Sequence, residues 1–157
     1  MADEVQPSST PGEAAPLQAG RVWRTGTYRV SREEMVEFAR RWDPLPIHLE
    51  TPAGESPFSD VIASGLLSLA VFQRLVAVEV YAGLPIVAAR GMRSVRFLHP
   101  VYPGDELAAR VEVVNVAPPS RGRREVEVAG SLVRGESAVL TIAVDLVLAH
   151  TMPESDI

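Results

Sequence analysis

No apolar run interrupts the first twenty positions of the chain; positions 65–80 are almost wholly apolar, and from 86 onward apolar residues come in strand-length runs. Within 21–30, Val22, Trp23, Thr25, Thr27, Tyr28 and Val30 form the β-branched and aromatic mix of a strand. Ser31 and Glu34 then stand at capping-box spacing, and Met35, Val36, Phe38 and Ala39 supply one apolar face of a helix. That helix is expected to end near Trp42, because Pro44 cannot continue it. From Gly65 to about Tyr81 there is almost no polar face, which predicts a second helix buried nearly all round. Ser64 is its expected N-cap, and Gly83 with Pro85 its stop.

Four strand-like runs follow, near 86–98, 105–117, 123–134 and 137–149, separated by Pro103-Gly104, Pro118-Pro119 and Arg134-Gly135-Glu136. Being consecutive, they are expected to pair as an antiparallel meander. Glu125 and Glu127 alternate with Val126 and Val128, as on a half-exposed strand. The last run is apolar on both faces apart from Thr141 and Asp145, which predicts a central strand or one covered by a partner. The expectation is an α+β chain: a tail over 1–20 that is Pro-rich, acidic and disordered, one domain over 21–150, and a flexible C-terminus over 151–157.

Composition removes several kinds of chemistry. The 157 residues, 46% hydrophobic and 22% charged, fit a single globular domain. There is no cysteine, so thiolate nucleophiles and cysteine metal sites are excluded. All fifteen basic residues are arginine, which excludes Schiff-base catalysis. G-x-S-x-G, G-x-G-x-x-G, the P-loop and H-E-x-x-H are all missing. A net charge of -5 argues against nucleic acid as a partner. The basic cluster Arg121, Arg123 and Arg124 is expected to be a solvated hairpin loop. The uncharged stretch 61–72, followed by Gln73 and Arg74, is too short to span a bilayer, and the N-terminus has neither the basic nor the apolar region of a secretory signal. A cytoplasmic protein away from the membrane is expected.

The most suggestive chemistry lies in Trp42-Asp43-Pro44-Leu45-Pro46-Ile47-His48. Positions i and i+5 diverge on a helix and on a strand, so Asp43 and His48 converge only if the segment bends back, which predicts a loop stiffened by two prolines. A carboxylate beside an imidazole is a general acid/base pair; a turn-opening Asp-Pro and a hydrogen-bonded loop histidine are the bland alternative. His99 beside Pro100 reads as structural or surface, His150 as solvated, and Ser68 as a packed helix hydroxyl.

These residues also carry a resemblance. The chain is similar to MaoC-like dehydratases and (R)-specific enoyl-CoA hydratases, which carry D-x-N-P-[aliphatic]-H, then a segment like I-A-H-G-M-L, then V-x-F-x-x-P-V-x-x-G-D. Here the counterparts are Asp43 to His48, then Ile62-Ala63-Ser64-Gly65-Leu66-Leu67, then Val95-Arg96-Phe97-Leu98-His99-Pro100-Val101-Tyr102-Pro103-Gly104-Asp105. The resemblance covers 27–149. It implies a hot-dog fold, a long central helix wrapped by a curved five-stranded antiparallel sheet.

The family's activity implies a lyase that hydrates 2-enoyl thioesters or dehydrates 3-hydroxyacyl thioesters, carried on coenzyme A or acyl carrier protein. It implies no cofactor and no metal, and a homodimer or larger homo-oligomer. Asp43 and His48 match the catalytic pair, and Gly65 the residue whose N–H meets the thioester carbonyl. Leu45, Ser64 and Leu66 are expected around the substrate pocket. Leu45 stands where the family has asparagine and Ser64 where it has histidine. The alternatives are a hot-dog acyl-thioesterase or a non-catalytic acyl-binding partner subunit of a heteromeric dehydratase. Under the family reading, the arginine cluster has contact with coenzyme A phosphates as its alternative role.

Overall fold

A computed structural model describes residues 16–150. In chain order the elements are β1 (Val22–Arg29), α1 (Arg32–Trp42), a one-turn helix α2 (Pro46–Leu49), α3 (Gly65–Glu79) continued by a 3-10 turn at Tyr81–Gly83, then β2 (Ile86–Phe97), β3 (Glu106–Val116), β4 (Arg123–Arg134) and β5 (Ser137–Ala149). All five strands form one antiparallel sheet in the order β1-β3-β4-β5-β2. The sheet curls around α3, which is the hot-dog fold.

The predicted meander holds only for β3, β4 and β5. β2 pairs with β5 instead of β3, and so becomes an edge strand. The 98–105 connection explains the difference. Pro100 and Pro103 remove two backbone donors, and Val101 is buried with its carbonyl accepting from the Ala63 N–H. The chain therefore crosses beneath the start of α3, and Gly104 and Asp105 dock on Val30 at the end of β1, which places β3 beside β1.

Curvature comes from irregular pairing. β2 and β5 change register at three places, and Ser94, in the last of these, holds a left-handed φ of 53°. The concave face is filled by Phe72 of α3, whose ring lies against Gly130 of β4; a Cβ on Gly130 would sit 2.3 Å from the ring. Gly130→Ala is therefore expected to overpack the core and cost about 1–3 kcal/mol, read as a lower denaturation midpoint.

α3 is not buried all round. Leu67, Ser68, Val71, Phe72, Leu75 and Val76 face the sheet, whereas Val78 is 63% exposed and Leu66 also faces outward. By length and composition alone, Gly65–Gly83 is apolar enough to cross a bilayer, but the sheet covers its inner face and it carries Arg74 and Glu79. At the N-terminal boundary, Leu17 packs partly against the core and the Gly20 N–H donates to the Val113 carbonyl, so 16–20 joins the domain. Residues 1–15 and 151–157 lie outside the described residues.

Candidate active site

α1 ends at Asp43, whose N–H still donates to the Ala39 carbonyl while its backbone leaves the helical region at φ -156° and ψ 67°. The chain then bends through one helical turn, not through the plain loop expected. Pro46 opens α2 at the first position, where its missing N–H has no helical acceptor to lose and its fixed φ fits. His48 follows on that turn with its N–H donating to the Leu45 carbonyl, and only 7% of it is exposed. A short helix thus does what neither a long helix nor a straight strand can: it brings Asp43 Oδ2 and His48 Nε2 within 3.3 Å.

Two hydrogen bonds fix that pair. His48 Nδ1 lies 2.9 Å from the Ile62 carbonyl. A carbonyl only accepts, so Nδ1 carries a proton and Nε2 is the nitrogen turned toward Asp43. On the other side, the Ser64 hydroxyl donates to Asp43 Oδ2 at 2.6 Å and accepts from the Leu66 N–H at 3.2 Å. Ser64 is fully buried. It caps α3 and positions the carboxylate at once. Ser64→Ala should cost about 1 kcal/mol of stability through the lost cap. The same change should slow turnover about tenfold by freeing Asp43, on the scale of one lost hydrogen bond to a charged group.

Gly65 begins α3 beside them, and its N–H has no acceptor among the described residues. A helix N-terminus with a free donor favours a developing oxyanion. A Cβ there would lie 2.7 Å from the tip of the Phe97 ring, so any larger residue would have to push that exposed side chain aside.

Asp43, His48 and Gly65 open into one cavity of about 400 Å³, whose walls are mostly apolar and include Leu66, Phe97 and Val139. Ser68 and His99 also line it, although the sequence suggested packing and surface roles for them. The strand-end turn signal around His99 concealed this, since β2 delivers the residues just beyond its end to the mouth of α3. Phe97 stands in the V-x-F position of the third motif, which was its available signal. Leu45 is a correction: it caps α2 with its side chain 52% exposed, outside the cavity lining, because α2 turns position 45 away from His48. Ser64 lies behind Asp43, not in the lining.

The segment leading back to α3 is clasped to α1. Arg32 pairs with Asp60, and this guanidinium, together with the Val61 N–H and the Thr51 hydroxyl, holds the Asp60 carboxyl down at about 2. No cluster of three metal-ligating side chains occurs among the described residues.

The sequence profile of the MaoC like domain matches residues 15–135, and the chain belongs to that family. A curated relative from Bacillus subtilis (strain 168), the uncharacterized protein YdeM, is 37% identical over 100 residues, which is 63% of this chain and 71% of that protein. Among solved structures, the MaoC-like dehydratase from Rhodospirillum rubrum superposes with a TM-score of 0.76 at 26% identity, covering 87% of this chain and 96% of its own. The (R)-hydratase from A. caviae involved in PHA biosynthesis gives 0.67 at 25% identity, over 88% of this chain and 100% of its own.

Proposed function

We propose that this chain is a cofactor-free hydratase/dehydratase that adds water across the double bond of a 2-enoyl thioester and removes it from a 3-hydroxyacyl thioester. The observation that carries this is the convergence of Asp43, His48 and the free Gly65 N–H on one largely apolar cavity. An apolar wall suits an acyl chain, and an acid/base pair beside a free backbone N–H suits the water and the carbonyl of a thioester.

In the hydration direction, the thioester carbonyl accepts from the Gly65 N–H as charge moves onto its oxygen. Asp43 takes a proton from water while the water oxygen bonds to C3. The proton taken by Asp43 passes across the 3.3 Å contact to His48 Nε2, which delivers it to C2 as the enolate collapses, and the site is reset. The proton count closes: one water is consumed, one O–H adds at C3 and one hydrogen at C2.

A homodimer accompanies this reading. β2 is an edge strand, paired with β5 on one side only, and carries the exposed apolar residues Val87, Met92 and Phe97; such an edge is a template for a second copy. The test is incubation with short enoyl-CoA thioesters. Hydration removes the conjugated absorbance without releasing thiol. Release of free thiol would replace the proposal with thioester hydrolysis, and no change on any substrate would leave an acyl-binding or partner subunit.

A further inference from the structure

The basic cluster of the sequence divides in the fold. Arg124 turns with the even-numbered residues of β4 toward the end of α3, whereas Arg121 and Arg123 join Arg90 of β2 around a separate cavity of about 870 Å³. It shares no lining residue with the acyl cavity. Its lining combines Val87 and Val147 with three arginines and one carboxylate, Glu125, which pairs with Arg90. Neither Arg121 nor Arg123 has a carboxylate partner among the described residues. A local excess of positive charge on a chain of net charge -5 marks this cavity out.

Backbone strain points the same way. Ser120 and Arg123 close a tight turn through reciprocal backbone hydrogen bonds, with Arg121 and Gly122 both at positive φ, 51° and 70°. Asparagine or glycine suits the first central position of such a turn far better than arginine. An exposed arginine held there at a cavity that also presents Val87 and Val147, with no carboxylate partner, fits recognition of a phosphate attached to a flat base.

We propose that this cavity binds the nucleotide end of coenzyme A, with Arg121 and Arg123 on its phosphates. The inference rests on the thioester reading above and specifies coenzyme A over a carrier protein as the acyl carrier. In one chain the cavity and the acyl site flank opposite ends of β2, with Val87 to Phe97 between them, roughly 30 Å at the rise of a strand. Two copies related by a two-fold axis pair the same edge strand antiparallel. Such a pairing centred on β2 brings the 87–90 end of one copy toward the 93–97 end of the other, so the nucleotide site of one chain serves the acyl cavity of its partner.

The test uses the full chain and the double variant Arg121→Gln/Arg123→Gln. Calorimetry with adenosine 3′,5′-bisphosphate should show binding to the wild type that weakens at least tenfold in the variant, with inorganic phosphate alone binding far more weakly. Equal binding by both proteins, or none by the wild type, overturns the proposal whatever the enzyme's activity. In turnover, KM for an enoyl-CoA should rise about tenfold with kcat unchanged, while an enoyl N-acetylcysteamine thioester, which lacks the nucleotide, is unaffected; an equal effect on both substrates overturns it. Mixed dimers of Asp43→Asn chains with the arginine double variant should recover the wild-type KM. Failure to recover it overturns the placement across the dimer. If no enoyl thioester is turned over by the wild type, the functional proposal fails while the calorimetry still decides the phosphate site.

Discussion

Asp43→Asn is expected to lower hydratase turnover by about two to four orders of magnitude, the usual effect of removing a positioned acid or base. The substitution is nearly isosteric, and the asparagine oxygen still accepts from Ser64, so the fold is expected to hold while the base is lost. His48→Ala should lose a comparable amount. It also leaves the Ile62 carbonyl without its side-chain donor, which adds a stability cost of about 1–3 kcal/mol. Because both groups act on one water and exchange one proton, the double variant should lose less than the product of the two single losses. Near wild-type rates in both single variants, with circular dichroism confirming the fold, would refute the assignment.

The largest effect on stability is expected at Val71. Its side chain is 3% exposed and faces the sheet from the middle of α3. Val71→Asp buries a carboxylate in the main core cluster, and an unpaired charge there costs several kcal/mol, enough to abolish soluble expression of a domain of this size. Removing 1–15, in contrast, should leave the unfolding midpoint unchanged, whereas a deletion extending through Leu17 removes a core contact and should lower it. Soluble, cooperative unfolding of the Val71→Asp protein would contradict the core described here.

The strands were legible in the sequence because turn residues bracket each one: Pro-Gly, Pro-Pro and Arg-Gly-Glu separate runs that match β2 to β5 within a residue or two. The capping residues were legible for a local reason too, since Ser31 and Ser64 each accept from a backbone N–H two or three residues onward. Sheet order was not local. Whether β2 pairs with β3 or β5 depends on where Val101 is buried and how Ala63 receives it, contacts between segments almost forty residues apart. The all-round burial expected for α3 failed for a related reason: periodicity records that Leu66 and Val78 are apolar, not whether the covering surface belongs to the same chain.

The site was legible in part. The spacing of Asp43 and His48 demanded a bend, and the family motifs matched Gly65 to the thioester carbonyl. The one-turn helix that makes the bend was hidden by the two prolines, which read as loop although Pro46 sits where a helix accepts proline. That turn also sends Leu45 to the surface, so the position departing most from the family pattern lies off the cavity. The role of Ser64 emerges only from the fold, because its hydroxyl reaches back 21 positions to Asp43.

Turnover in water enriched in heavy oxygen tests the central claim most directly. If Asp43 and His48 add one water across the enoyl double bond, mass spectrometry of the product from an enoyl-CoA should find a single heavy oxygen in the hydroxyl at C3, with the thioester intact, and Asp43→Asn should abolish it. Heavy oxygen in a released carboxylate, or label at C3 that persists undiminished in Asp43→Asn, would contradict the account.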